Sequence, residues 1–284
     1  MSELIDAYEK HLRRLDRSPN TVETYIRTLR QADRELEYGL ECATTEEFQE
    51  WLFSASPARR GGGVRGRTTR GHYVRILKGW GKWAVHPKTP ARIRLDFDAT
   101  ADLPEFKPSE SRSKPTREDL LNAIRERAPQ RQKVWILLGG WAGTRCCEIS
   151  NLDREDITEE RIWVRGKGEK ERYIPTHPLI WEAVKDLPPG PIAVDHDGVT
   201  RLTARQVGHR GGYTIRKIAR ELGYPATSMH KLRHRFGTKT YDAVRDVFAV
   251  QELLGHSDPK TTRRYVEVNR DRMAAAVAGL PIAG

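Results

Sequence analysis

Four side chains toward the C-terminal end of this 284-residue sequence have the types and the spacing to act together on one phosphate. His230 and Arg233, within His230-Lys231-Leu232-Arg233-His234, are three residues apart and share a face if the segment is helical. About twenty residues on comes Leu254-Gly255-His256, and Tyr265 closes Thr262-Arg263-Arg264-Tyr265. Two imidazoles, a guanidinium and a phenol supply hydrogen-bond donors, a cationic fork and a nucleophile. Other chemistries lack their residues. There is no Gly-x-Ser-x-Gly elbow, no His-Glu-x-x-His and no carboxylate cluster suited to two metals. His230 and His234 have the spacing of some zinc ligands, but Arg233 lies between them and no acidic ligand is near, so no metal is expected.

Composition narrows the partner. Lys and Arg outnumber Asp and Glu by 50 to 39, giving a formal charge of +11, with a pI near 9.7. A polyanion is therefore expected, nucleic acid before membrane surface. No apolar run approaches the roughly 18 residues of a spanning helix, and the N-terminus lacks the basic and apolar regions of a signal peptide. Three cysteines, two of them the adjacent Cys146 and Cys147, exclude a disulfide framework or a four-cysteine zinc site. A reduced, cytoplasmic setting fits.

The elements that must position these groups follow from periodicity. Leu4, Tyr8, Leu12 and Leu15 mark a helix over 3–17, and Val22, Tyr25, Ile26, Leu29 and Leu36 mark a second, ending near Gly39. Thr44-Thr45-Glu46-Glu47 has capping-box form and opens a short helix with Phe48, Trp51 and Leu52. Tyr73, Leu77, Trp80 and Ala84 mark a fourth. Residues 1–86 thus read as a four-helix domain. Residues 87–114, with Pro87, Pro90, Pro104 and Pro108, read as an extended linker. A second domain, 115–284, opens with Thr116 as N-cap of a helix over 117–127. It continues with a buried helix through Val134–Trp141 and a hairpin of 161–165 with 171–175 around Gly166-Lys167-Gly168. Further helices are expected over 178–187, 203–222, 228–242, 246–254 and 260–268. The fold class is mainly α with a small β-hairpin.

From Arg59 to Lys82 the chain has no Asp or Glu. Its loop has the glycine spacing of a P-loop, but Arg67 replaces the required lysine and no apolar strand precedes it, so no nucleotide cofactor is expected. One reading is a solvated loop. The sharper one is a DNA-backbone contact through Arg59, Arg60, Arg65, Arg67, Arg70, Arg75, Lys78 and Lys82.

Five ordered motifs together resemble the tyrosine recombinases of the phage integrase family. Gly143-Thr144-Arg145-Cys146-Cys147-Glu148 is similar to the first box, Gly-x-Arg-x-x-Glu, and Gly166-Lys167-Gly168 to the hairpin lysine. His230-Lys231-Leu232-Arg233-His234 matches His-x-Leu-Arg-His. Leu253-Leu254-Gly255-His256 and Tyr265 match the remaining boxes. The helices around Asn20-Thr21-x-x-x-Tyr25 resemble the family's SAM-like core-binding domain, so the resemblance covers essentially the whole chain.

The resemblance implies that Tyr265 attacks the scissile phosphate, forming a 3′-phosphotyrosine and freeing a 5′-hydroxyl. Arg145 and Arg233 would clamp the non-bridging oxygens, Lys167 would protonate the leaving oxygen, and His230 would act as base. His256 would donate a hydrogen bond to the phosphate, and Glu148 would position the basic groups. A phenol with a reference pKa of about 10 needs such help. The implied partner is double-stranded DNA bound by a tetramer, with room for a directionality or host architectural factor. With no arm-binding domain expected before residue 3, a compact phage or mobile-element integrase is preferred over a Xer-like resolvase of chromosome or plasmid dimers. A catalytically silent DNA-binding regulator and a type IB-like DNA-relaxing enzyme are the readings of other classes.

Overall fold

The computed structural model describes residues 2–55, 63–106, 116–166, 171–225 and 227–255, and the chain divides into two compact units, Met1–Ser111 and Arg112–Gly284. In the first unit, α1 (Glu3–Arg14) and α2 (Pro19–Glu35) are followed by a single turn, α3 (Gly39–Cys42), then α4 (Thr45–Phe53) and α5 (Arg67–Ala84). Thr44 and Glu47 close the expected capping box on α4. The first helix stops three residues short of expectation because Asp16 takes a positive φ of 52°, which leaves Leu15 half exposed. Leu4, Ile5, Tyr8, Ile26, Leu29, Phe48, Leu52, Leu77 and Trp80 form its core.

Residues 87–106 are not an extended linker. They run back along α5: the Leu95 amide donates to the Ala84 carbonyl, Thr100 Oγ1 donates to the Leu77 carbonyl, and Leu103 enters the core. Two glycines inside α5 make room for this strap. A Cβ on Gly71 would lie 2.6 Å from the Phe106 carbonyl oxygen, and one on Gly81 would overlap Asp98 and Thr100. The prolines give the segment its irregular path, and burial of Thr89, Thr100 and Leu103 holds it down.

The second unit contains α6 (Glu118–Arg127), α7 (Gln130–Trp141), α8 (Cys146–Asn151), the strands β1 (Arg161–Arg165) and β2 (Glu171–Pro175), α9 (Pro178–Val184), α10 (Ala204–Glu221), α11 (Met229–Val244) and α12 (Val247–Leu254). The strands pair antiparallel, with Ile162 opposite Ile174 and Val164 opposite Arg172. Their inner face joins a core of Leu121, Trp135, Leu138, Ile149, Ile162, Val164, Ile174, Ile215 and Leu232. α7 packs on α9 and α11, and α10 on α8. Thr116 is not the cap of α6. Arg117 takes that position, while the buried Thr116 hydroxyl pairs with Thr227 at 2.8 Å and so ties the start of the unit to the approach to α11. The fold is mainly α with one small antiparallel sheet, and among the described residues no helix is long and apolar enough to cross a membrane.

Gly71→Ala and Gly81→Ala test the strap. Overpacking against Phe106, or against Asp98 and Thr100, is expected to cost about 1–3 kcal/mol in urea unfolding. In a helix free of the strap the same changes would stabilise by up to about 1 kcal/mol, so the sign decides.

Candidate active site

The first box turns sharply before it becomes helical. Gly143 adopts φ +64°, and a Cβ there would overlap the Phe236 ring, so glycine is required both by conformation and by space. The turn delivers Arg145 to the N-cap of α8, where its backbone N–H donates to Glu148 Oε2 at 2.8 Å and its Nη1 to Oε1 at 2.7 Å. Glu148 is 2% exposed. Its carboxylate also accepts both Nη groups of Arg172 from β2, each at 2.9 Å. Arg233 Nη1 lies 3.7 Å from the same carboxylate. Three guanidinium groups therefore surround one carboxylate and leave a local excess of positive charge.

Those arginines also hold the end of α12. Arg145 Nη2 donates to the Gly255 carbonyl at 3.1 Å, Arg172 Nε to Leu253 at 2.9 Å, and Arg233 Nη2 to Leu254 at 2.6 Å. Arg233 Nη1 reaches the Gly143 carbonyl. The cluster thus joins segments 110 positions apart in the chain. The side chain of Arg145 is 38% exposed, whereas those of Arg172 and Arg233 are 10% and 3% exposed. Arg145 is the guanidinium of the three that is most open to solvent. Arg233 is buried behind it, and its burial is offset by the carbonyls it binds.

His230 is exposed on the first turn of α11, which Ser228 caps, and His234 is buried one turn on. Their rings are 4.6 Å apart and nearly perpendicular, at 84°. The structure thus brings Arg145, Glu148 and Arg233 together and places His230 on the helix that carries Arg233. Lys167, His256 and Tyr265 lie outside the described residues; α12 ends at Leu254 with Gly255 as its left-handed cap, immediately before His256.

Burial alone would raise the pKa of Glu148, but the hydrogen bonds and charge of Arg172, with the backbone amide and charge of Arg145, outweigh it and hold the carboxyl below its ordinary range. A folded-state pKa below the unfolded one gives stabilisation that is complete above the unfolded value and lost as pH falls through the folded one. The gap in unfolding free energy between wild type and Glu148→Gln is therefore expected to narrow below about pH 4. A gap that is constant or widens in acid would contradict this electrostatic account.

The basic segment of the first unit is split by the structure. Arg65 is not on the surface. Its guanidinium pairs with Glu35, donates to the carbonyls of Trp51 and Ser54, and stacks 4.5 Å from the Trp51 ring, because Glu35 and Trp51 together form a cage for it. Arg70 is half-buried, 4.1 Å from the Phe53 ring and 4.9 Å from that of Phe106. Arg67, Arg75, Lys78 and Lys82 lie on the outer side of α5, opposite Ile76, Leu77 and Trp80. Arg59 and Arg60 lie outside the described residues. Arg65→Ala should cost about 3 kcal/mol of stability, as loss of one partner of a buried pair does. Arg75→Ala should leave the melting temperature unchanged.

Sequence reasoning missed two features. Arg172 carries the same parity as Ile174 on β2, which was the available sign that it points inward. On α10, Arg205, His209, Tyr213, Arg216, Lys217 and Arg220 are all exposed and fall on one side by helical spacing. The glycines in that helix drew attention away from the stripe; Gly211 instead packs against Met229.

Residues 113–272 match the family model of the phage integrase family. The chain belongs to that family. Over 293 residues it is 30% identical to tyrosine recombinase XerC of Neisseria meningitidis serogroup B, covering 95% of this chain and 92% of the relative. It is 28% identical to tyrosine recombinase XerA of Thermococcus onnurineus, covering 97% and 94%. Among solved structures it is similar in fold to a lambda integrase dimer bound to a core site, with a TM-score of 0.68, 19% identity and coverage of 94% and 98%. The XerH recombinase bound to a palindromic difH substrate gives a TM-score of 0.66, 19% identity and coverage of 91% and 79%. The protein is a tyrosine recombinase, an enzyme of site-specific recombination.

Proposed function

We propose that this recombinase cuts and rejoins double-stranded DNA through Tyr265, which attacks the scissile phosphorus and forms a 3′-phosphotyrosine. The observation that carries the reading is the Arg145–Glu148–Arg233 cluster, assembled from distant segments, with His230 on the same helix as Arg233, and fixed to the end of α12 just before His256 in the sequence. Arg145 and Arg233 stabilise the charge that develops on the non-bridging oxygens. His230 takes the phenolic proton, Lys167 gives a proton to the departing 5′-oxygen, and His256 donates a hydrogen bond to the phosphate. The phosphotyrosine conserves the energy of the broken phosphodiester, so the 5′-hydroxyl of a partner strand can attack it without ATP. Glu148 touches no DNA.

The duplex is held by two basic faces. One is the outer side of α5 with Arg67, Arg75, Lys78 and Lys82, joined by Arg59 and Arg60. The other is the α10 stripe. Residues 1–86, together with the strap, act as the core-binding domain, and four protomers assemble on two sites, with a directionality or host factor setting the outcome. Removing one phosphate contact, by Arg75→Ala or Arg216→Ala, should weaken binding and reduce the salt slope by about 0.9.

The biological role we favour is integration and excision of a phage or mobile element, because the Arg/Gly loop at 59–68 departs from a compact Xer domain. The second reading, Xer-like resolution of chromosome or plasmid dimers, is favoured by the full-length similarity to XerC and XerA. A plasmid assay with DNA flanking the gene separates them. Joining of two different sites supports integration, and resolution of directly repeated identical sites supports the Xer reading. Relaxation without site preference, or binding alone, defeats both.

The chemistry is tested on a nicked suicide duplex. The wild type should form a covalent adduct that Tyr265→Phe lacks. An adduct that survives in Tyr265→Phe would sink the assignment of the nucleophile.

A further inference from the structure

Arg172 has no part in the phosphate chemistry proposed above, yet its guanidinium is fully committed within the site. Nη1 and Nη2 donate to the two oxygens of Glu148 at 2.9 Å, and Nε donates to the Leu253 carbonyl at 2.9 Å. Its strand position, opposite Val164 and on the inner face with Ile174, sends the side chain into the body of the unit. The cap of α12 is shaped around it. Gly255 has φ +63°, and a Cβ there would come within 2.8 Å of Arg172 Nη1. Three segments that carry the proposed site meet at this one side chain. They are the first box with Arg145, the strand pair between which Lys167 falls in the sequence, and the end of α12, which precedes His256 and Tyr265 in the sequence.

Geometry makes the fork matter more than the charge. Glu148 is shared: one oxygen accepts Arg145 Nη1 and the other the Arg145 backbone amide, while each also accepts one arm of Arg172. A planar fork with a third N–H at right reach can hold both carboxylate oxygens and the Leu253 carbonyl at once; an ammonium cannot. With Arg172 in place, the Glu148 plane is set, and with it the direction in which Arg145 presents its exposed edge. We propose that Arg172 is a positioning residue for strand cleavage, holding Glu148, and through it Arg145, in register with the end of α12 that precedes the nucleophile. This role rests on the reading of Tyr265 as nucleophile. Arg172 itself touches no DNA.

The test is single-turnover adduct formation on the nicked suicide duplex at saturating protein, with duplex affinity and melting temperature measured on the same preparations. Arg172→Lys keeps the charge and loses the fork. Its cleavage rate should fall by about a hundredfold, the scale of a small misplacement of reacting groups, with affinity unchanged. In Arg172→Ala, added guanidinium should restore much of the rate relative to sodium at equal ionic strength, because the ion refills the vacated site between Glu148 and Leu253. Wild-type cleavage by Arg172→Lys would overturn the proposal. So would a rate loss that tracks lost affinity or lost folding and is not recovered with guanidinium, since that describes a structural brace alone. Tyr265→Phe, run in parallel, separates the two claims. An adduct surviving there removes the nucleophile assignment and the role of Arg172 with it, whereas an adduct lost there but formed at full rate by Arg172→Lys removes only the positioning role.

Discussion

A buried carboxylate with three arginines around it is the interaction on which the second unit depends. Glu148 remains an anion away from water only because Arg145 and Arg172 give it charge-assisted hydrogen bonds, and Arg233 adds a third cation nearby. The dependence is mutual. Arg233 is itself buried and Arg172 largely so, and they use further N–H groups on carbonyls of Gly143, Leu253 and Leu254. The result is a polar junction that fixes α8, β2, α11 and the end of α12 to one another. It carries more positive than negative charge and opens to solvent mainly at Arg145, which is the arrangement an anion site requires.

The glycines of the sequence boxes acquire a physical meaning from this junction. Gly143 must turn with positive φ beneath Phe236 so that Arg145 can start a helix, and Gly255 must do so above Arg172 so that α12 can end there. Either side chain, if enlarged, would push apart the segments that the arginines hold. The motifs are therefore packing instructions as much as lists of reactive groups.

Much of this was legible beforehand. The hairpin strands were expected at 161–165 and 171–175 and are found there, with Ile162, Val164 and Ile174 at alternate positions on the buried face and β-prone Trp163 and Tyr173 between or beside them. The meeting of Arg145, Glu148 and Arg233 was implied by the resemblance to the tyrosine recombinases, since no spacing within the chain joins residues so far apart. Arg172 was not, since an arginine in a short strand looks like a solvent-facing residue until its parity with Ile174 is weighed. Arg65 was misjudged for the converse reason: a basic run advertises exposure, and the cage of Glu35 and Trp51 comes from other helices. The strap at 87–106 was hidden by its prolines, although Gly71 and Gly81 inside an amphipathic helix were the mark of a close neighbour. Leu15 and Thr116 erred by a few residues at helix ends, where local backbone geometry outweighs periodicity.

In the proposed mechanism, the junction supplies a cationic frame against which a phenol is brought to a phosphorus. The most direct measurement is the mass of the peptide that carries DNA after cleavage. The adduct from a nicked suicide duplex, digested with nuclease and then trypsin, should yield the peptide Tyr265–Arg270 bearing a 3′-linked nucleotide phosphate on its tyrosine. A nucleotide found on any other peptide, or DNA cut without a covalent bond to protein, would contradict the account.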